Sequence, residues 1–329
     1  MKAQHPKTQR NGFVVVVVLC LITMMAALLL GFNANTRTNL RNVDTLRKSA
    51  QALNCARAGL NIAIAAIRDN NSLRTNRRMQ ELLSGRAELD IVGGKCLLDL
   101  TEENGKLNVN TLKDKNNKLN RTRIDQLLRL IDLLNRRQSG DSHVGYGLAP
   151  ALVDWVDGDD AITTLPFIKR EKLGAESRYY QKLPVPYRCR NAPLEAAEEL
   201  LLIRGITPPV FELLQNYITV YGDGKVNINC APMRVIQSLS ADMDPVLAQV
   251  IIARRQFRPF ESIAELRNVA GMTGDIYDNI SGIVTISPAQ RYYRIESRAE
   301  VDGIDSIIIA VLKINTEDKR VDVILYREI

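Results

Sequence analysis

Asp154, Asp157, Asp159 and Asp160 crowd into seven residues around Gly158, and they are the first group in the chain with the makings of a chemical site. Carboxylates gathered at a glycine turn are hard oxygen ligands. Calcium takes six to eight such oxygens, typically from loop carboxylates and carbonyls. The EF-hand spacing fails, because its twelfth position, counted from Asp154 or Asp157, falls on Leu165 or Ile168 and not on a Glu. A calcium site would need a carboxylate from farther along, and Glu176 is the candidate. The competing reading is a solvated Asp-rich turn at a helix end.

Other chemistry is thin. His5 and His143 are the only histidines, so a nucleophile–histidine pair would rest on His143 alone, inside a glycine-rich loop. Cys55, Cys96, Cys189 and Cys230 contain no C-x-x-C and fit no zinc pattern. In an oxidising compartment they could pair in three ways, and buried free thiols fit as well. Trp155 beside Asp154 and Asp157 would suit a sugar-binding acid pair, but one helical turn of separation suits metal or capping chemistry better. The chain is read as a non-enzyme.

The elements that must carry these residues begin with an anchor. From Phe13 to Phe32 there are 20 residues without a charge, enough at about 1.5 Å per residue to cross one bilayer core. Lys2, Lys7 and Arg10 precede the stretch; Arg37, Arg41, Arg47 and Lys48 follow it, which leaves the orientation open. It is too long for a secretory signal peptide and no small-residue cleavage site follows. The composition of the chain is that of a globular protein, 46% hydrophobic and 25% charged; its net charge of +7 falls to +4 without Lys2, Lys7 and Arg10, too mild to argue for nucleic acid.

Leu40, Val43, Leu46, Leu53, Leu60, Ile64 and Ile67 recur at helical spacing without a proline, predicting one helix from Phe13 to Asp69 that stops at Asp69–Ser72. Strand signals follow at Cys96–Leu100 and Lys106–Asn110, with a hairpin turn at Glu103–Gly105. Helical patterns occupy Asn116–Gln138, a short stretch from Pro150, Pro193–Ile203, Pro208–Val220, Ala231–Leu239, Asp244–Arg255, Phe260–Asn268 and Asp275–Ile280. Strands return at Ile283–Ser287, Tyr292–Val301, Ser306–Asn315 and Val321–Arg327. Gly105-Lys-Leu-Asn-Val-Asn-Thr111 is echoed by Gly224-Lys-Val-Asn-Ile-Asn-Cys230, one motif used twice. The expected fold is α+β: a long N-terminal helix covering a small antiparallel sheet (33–112 and 282–329), with an α-helical domain inserted at 113–281.

The junction Arg10-Asn-Gly12-Phe13, opening a long apolar helix, resembles the prepilin signal of type IV pilins and secretion pseudopilins. The resemblance implies that a prepilin peptidase removes residues 1–12 by cutting after Gly12, leaving Phe13 as a methylated N-terminus. Family members usually carry Glu at the fifth mature position, and here it is Val17. A buried carboxylate in hydrocarbon needs a partner; a subunit with no neighbour above it would have none.

Further motifs narrow the resemblance to the K-type minor pseudopilin of type II secretion systems. They are Glu103–Asn110, Leu152-Val-Asp-Trp-Val-Asp-Gly-Asp-Asp160, Gly174-Ala-Glu176 with Tyr179 or Tyr180, Asn191-Ala-Pro-Leu194 with Glu198-Glu-Leu200, and Val226–Pro232. This implies a single-pass inner-membrane protein with a periplasmic head at the tip of the pseudopilus. It would initiate assembly, help export folded proteins, and have the I- and J-type minor pseudopilins and the secretion platform as partners. It also implies calcium in the inserted domain, at Asp157, Asp159, Asp160 and Glu176.

The main alternative is a membrane-anchored periplasmic DNA-binding protein. Val250–Arg255, Phe260, Leu266 and Val269–Thr273 look like the helix-hairpin-helix of competence DNA receptors. The first hairpin turn, Ser238–Asp244, has no glycine and two acids, which should not grip phosphate, so no nucleic acid is expected.

Overall fold

The structure, a computed structural model, describes residues 11–68, 86–91, 93–114, 117–136, 140–165, 174–318 and 320–329. Residues 1–10 of the expected leader 1–12, the helix stop expected at Asp69–Ser72, and Ile168 lie outside the described residues. Helix α1 runs unbroken over Asn11–Arg68, 58 residues and about 87 Å. Its first part is bare: Phe13, Val14, Leu28, Leu30 and Phe32 are all exposed, as are Leu40, Val43 and Leu46 farther along. Among the described residues it is the one helix long and apolar enough to cross a membrane.

The second part of α1 lies on a five-stranded antiparallel sheet. Its strands are β1 (Arg86–Ile91), β2 (Gly94–Glu102), β7 (Gln290–Val301), β8 (Ile304–Asn315) and β9 (Val321–Glu328), in the order β1-β2-β7-β8-β9. The helix presents a small-residue stripe, Ala52, Ala56, Ala63 and Ala66, flanked by Cys55 and Leu60. It packs on Cys96, Leu98, Ile295, Ala299, Ile308, Ala310 and Leu312. Small side chains let helix and sheet approach closely, and the period-two alternation of β7 together with the continuous apolar run Ile307–Leu312 of β8 supplies the matching apolar face.

The described residues between β2 and β7 form a second body with its own core, from Leu107 to Val284. The hairpin expected at Glu103–Gly105 is instead a 3-10 turn that carries the chain out of the sheet. The short strand β3 (Leu107–Asn108) then pairs in parallel with β4 (Ile218–Thr219), not with β2. Likewise the strand expected at Ile283–Ser287 is β6 (Val284–Thr285), paired in parallel with β5 (Val226–Asn227). Leu107 and Val284, placed in the pilin-like part by the sequence boundaries 112/113 and 281/282, therefore pack in the helical core. Both segments, two residues each, are too short for their periodicity to reveal their partners.

The helical body contains one segment twice. Residues 193–220 and 259–286 align without a gap, sharing Pro193/Pro259, Glu195/Glu261, Glu199/Glu265, Leu200/Leu266, Gly205/Gly271, Thr207/Thr273 and Thr219/Thr285. Both glycines have φ near +90°, +88° and +89°, where L side chains are strained. The second asparagine of each Asn-x-Asn motif fastens its unit. Asn110 Oδ1 accepts from Leu194 N (2.8 Å), while its Nδ2 donates to Leu194 O (2.9 Å) and Val220 O (2.8 Å). Asn229 Oδ1 accepts from Phe260 N (2.9 Å), and its Nδ2 donates to Phe260 O (3.0 Å) and Ile286 O (3.3 Å). The helices expected at Pro193–Ile203 and Phe260–Asn268 are 3-10 turns, Ala197–Leu202 and Ile263–Asn268.

The helices of this body are α2 (Arg121–Asn135), α3 (Leu148–Val156), α4 (Ser177–Tyr180), α5 (Pro208–Leu214), α6 (Met233–Ser238), α7 (Pro245–Phe257) and α8 (Gly274–Ser281). Only 28 residues separate Cys230 from Pro259 in the second unit. In the first, 81 residues separate Thr111 from Pro193, and that longer excursion carries α3, the aspartate loop and α4.

Candidate metal centre

Helix α3 is buried from Leu148 to Trp155, with Pro150, Ala151 and Leu152 inside, so its last turn is held rigidly in the core. Asp154 sits in that turn and Asp157 caps the helix end, its N–H bonding Val153 O at 3.0 Å. Residues three apart on a helix share a face, so the two carboxylates point the same way. The chain returns at Gly174, where any Cβ would overlap the Asp154 carboxylate, and Glu176 then precedes α4. The Glu176 carbonyl accepts from Tyr179 N (2.7 Å), leaving its side chain to turn inward.

Asp154, Asp157 and Glu176 thus converge, with one oxygen of each within 4.8 Å of the others, and all three are buried. Asp154 Oδ1 accepts from Thr163 N at 2.8 Å, but its Oδ2 has no hydrogen-bond partner among the described residues, and neither has either oxygen of Glu176. Buried carboxylates without partners are costly. Burial, helped by the charges of Asp154, Asp157 and Asp160, pushes Glu176 up to about 8. Burial likewise raises Asp154 to about 6. Asp157 is raised by burial against the opposing pull of Lys113, whose ammonium hydrogen-bonds its Oδ2.

Asp159 and Asp160 stand at the margin. Asp159 is engaged on both oxygens, Oδ1 by Ala161 N (2.9 Å) and Oδ2 by Asn117 Nδ2 (3.0 Å), and these bonds hold it below the usual carboxylate range. Asp160 Oδ1 accepts from Asn191 Nδ2 at 3.3 Å. The structure therefore joins Asp157 and Glu176 with Asp154, a residue outside the four that the family resemblance implied. Its three-residue spacing from Asp157 at a helix end was the available signal. Lys113, 44 positions upstream of Asp157, carried none.

An orphaned set of buried hard oxygens on a rigid helix end fits a calcium ion, which prefers oxygen ligands and several carboxylates. Trp155, by contrast, is 2% exposed, walled in by Tyr180 and Tyr187 edge-on at 5.0 and 6.2 Å, so its ring offers no sugar platform. Cys96, Cys189 and Cys230 are free thiols.

The helix-hairpin-helix turns have their own occupants. Asp244 Oδ1 accepts from Leu247 N (2.7 Å) and Thr273 Oγ1 from Ile276 N (3.3 Å). The amides that would meet a phosphate at the N-termini of α7 and α8 are capped by the chain itself.

Two family models, both described as type II secretion system (T2SS), protein K, match residues 105–223 and 226–286. Type II secretion system protein K of Aeromonas hydrophila is 29% identical over 82 residues, which is 25% of this chain. The matched stretch spans 23% of that relative's length. Among solved structures, a chain of the GspK-GspI-GspJ complex from the enterotoxigenic Escherichia coli type 2 secretion system has the same fold. The TM-score is 0.59, covering 89% of this chain and 99% of that one at 17% identity.

Proposed function

The chain belongs to the protein K family of the type II secretion system, whose two models together span more than half of it, and from that membership we propose that it is the minor pseudopilin at the tip of the secretion pseudopilus. In this reading residues 1–12 are removed by prepilin peptidase after Gly12, and Phe13 becomes the N-terminus. The bare first part of α1 stays in the inner membrane, the head lies in the periplasm, and the I- and J-type minor pseudopilins pack beside it. The protein initiates assembly and supports export of folded proteins, without catalysing a reaction.

The observation that carries this proposal is α1 itself. One continuous helix is exposed and apolar along its first part and packed on the sheet along its second, which suits lateral assembly with neighbouring helices inside a membrane. The duplicated helical body between β2 and β7 adds bulk that fits a single terminal position better than a closely repeated one. Val17 is in keeping with that position, since it leaves no membrane-buried carboxylate in want of a partner. The helix starts capped by Asp244 and Thr273, which accept from Leu247 N and Ile276 N, weigh against the DNA-binding alternative.

Calcium is the cofactor in this proposal, held by Asp154, Asp157 and Glu176, with Asp159 and Asp160 at the rim. The ion would supply positive charge to carboxylates that now lack partners, and so tie the end of α3 to the start of α4. N-terminal sequencing of the protein from membranes tests the assignment: a methylated Phe13 is expected, and a start at Met1 or beyond Gly31 would overturn it.

A further inference from the structure

We propose that Lys113 is a built-in cation that occupies the carboxylate pocket in the absence of calcium and is displaced when calcium binds. This rests on the calcium reading above. Lys113 follows the buried Leu112, and its backbone is fixed by an antiparallel bridge to Leu119 and by the Asn120 N to Leu112 O bond of 2.8 Å. From there its side chain, 13% exposed, hydrogen-bonds Asp157 Oδ2 and stands 3.8 Å from Asp159 Oδ2. The Asp157 side chain is fully buried, so the pair is shielded from water on that side.

One ammonium faces three converging carboxylates and reaches only one of them. Asp154 Oδ2 and both Glu176 oxygens keep no partner among the described residues, so Lys113 neutralises the pocket incompletely. A divalent ion at the centre could touch all three groups, whose oxygens lie within 4.8 Å. It would compete for Asp157, however, and two cations on one carboxylate repel each other. The lysine stem is flexible and its head strongly hydrated, and Asp159 beside it is 44% exposed, so a path to solvent is open. Displacement of Lys113 thus lowers calcium affinity while its presence protects the calcium-free fold.

The test uses the full-length protein in detergent micelles. Calcium titration calorimetry and thermal melting in EDTA compare wild type with Lys113→Met, which keeps the stem and removes the charge. The expected result is at least about tenfold tighter calcium binding, a melting temperature lower by several degrees in EDTA, and near-equal melting in saturating calcium. Equal or weaker calcium affinity in a folded variant overturns the proposal. A second measurement needs no variant: reaction of Lys113 with an amine-acylating reagent, read by mass spectrometry, should rise several-fold when calcium is added. Unchanged or reduced labelling with calcium bound overturns the displacement. Absence of calcium binding by the wild type would overturn the calcium reading itself, and this inference with it, which separates the two failures.

Discussion

Gly59 on α1 lies directly over Cys96 on β2, so close that a Cβ added at Gly59 would overlap the Cys96 sulfur and stand 2.7 Å from Ser297 Oγ. Ser297 Oγ in turn donates to the Ala56 carbonyl at 2.8 Å, which pins the same helix turn to β7. Replacing Gly59 by Val forces the long helix off the sheet. We expect Gly59→Val to cost about 1–3 kcal/mol, read by chemical denaturation of the full-length protein in detergent. An unchanged midpoint would mean that this contact does not set the helix–sheet spacing.

Much of this architecture was legible in the chain, for reasons specific to each element. The long helix could be read because 20 uncharged residues and an uninterrupted apolar stripe admit no other structure. Strand β7 alternates along Tyr293–Val301, which fixes its faces, whereas β8 runs apolar from Ile307 to Leu312 and is buried on both faces there. The parallel partners of β3 and β6 are not legible in the chain, because two-residue strands have no period and those partners lie 111 and 58 positions away. At the metal centre, the aspartate cluster and Glu176 were visible as residue types. Which oxygens converge depended on the burial of α3 and on the return of the chain at Gly174, neither of which spacing encodes.

Glu176→Gln and Asp154→Asn keep the shape of the pocket and each remove a charge from it. Both should weaken calcium binding by about tenfold or more in calorimetry. Each should also shrink the drop in melting temperature that EDTA causes in the wild type. Asp160→Asn, at the rim, should do much less. Equal effects at all three positions would place the ion closer to the loop than to the end of α3.

The same carboxylates set the pH dependence of the calcium-free protein. Glu176 is raised from 4.5 to about 8 and Asp154 from 3.8 to about 6, so the folded state binds more protons than the unfolded one between those values. Stability from these groups is complete below about pH 4 and is lost as pH rises through their folded values. In EDTA the melting temperature should therefore fall by several degrees between about pH 5 and about pH 8. Saturating calcium, which favours the ionised carboxylates, should flatten or reverse that slope. A melting temperature that rises with pH in EDTA would contradict the unpartnered state of Glu176.

Val17 makes the tip assignment testable. It is 41% exposed on the bare part of α1, within the membrane segment. If no subunit sits above it, Val17→Glu gains no partner, and the added carboxylate can remain protonated at modest cost. Secretion in a strain carrying Val17→Glu should stay close to wild type. Abolished secretion with normal protein levels would show that position 17 must be apolar, and would count against the explanation from the absence of a neighbour.

Asn110 and Asn229 perform the same task in the two helical units, and their replacement should cost the same. Each makes three bonds to backbone groups that follow farther along the chain, and among the described residues no other side-chain bond is made to Leu194 N or Phe260 N. Leu at either position would strand buried amide and carbonyl groups, at about 1–3 kcal/mol per unsatisfied group. Asn110→Leu and Asn229→Leu should each lower the denaturation midpoint strongly. Because the two sites share no partner, their effects should add in the double variant to within about 0.5 kcal/mol. A much smaller effect at Asn110 alone would mean that the longer excursion between Thr111 and Pro193, with the carboxylate pocket in it, holds the first unit together without its asparagine. In that case the Asn110→Leu protein should melt normally in calcium and fail only in EDTA.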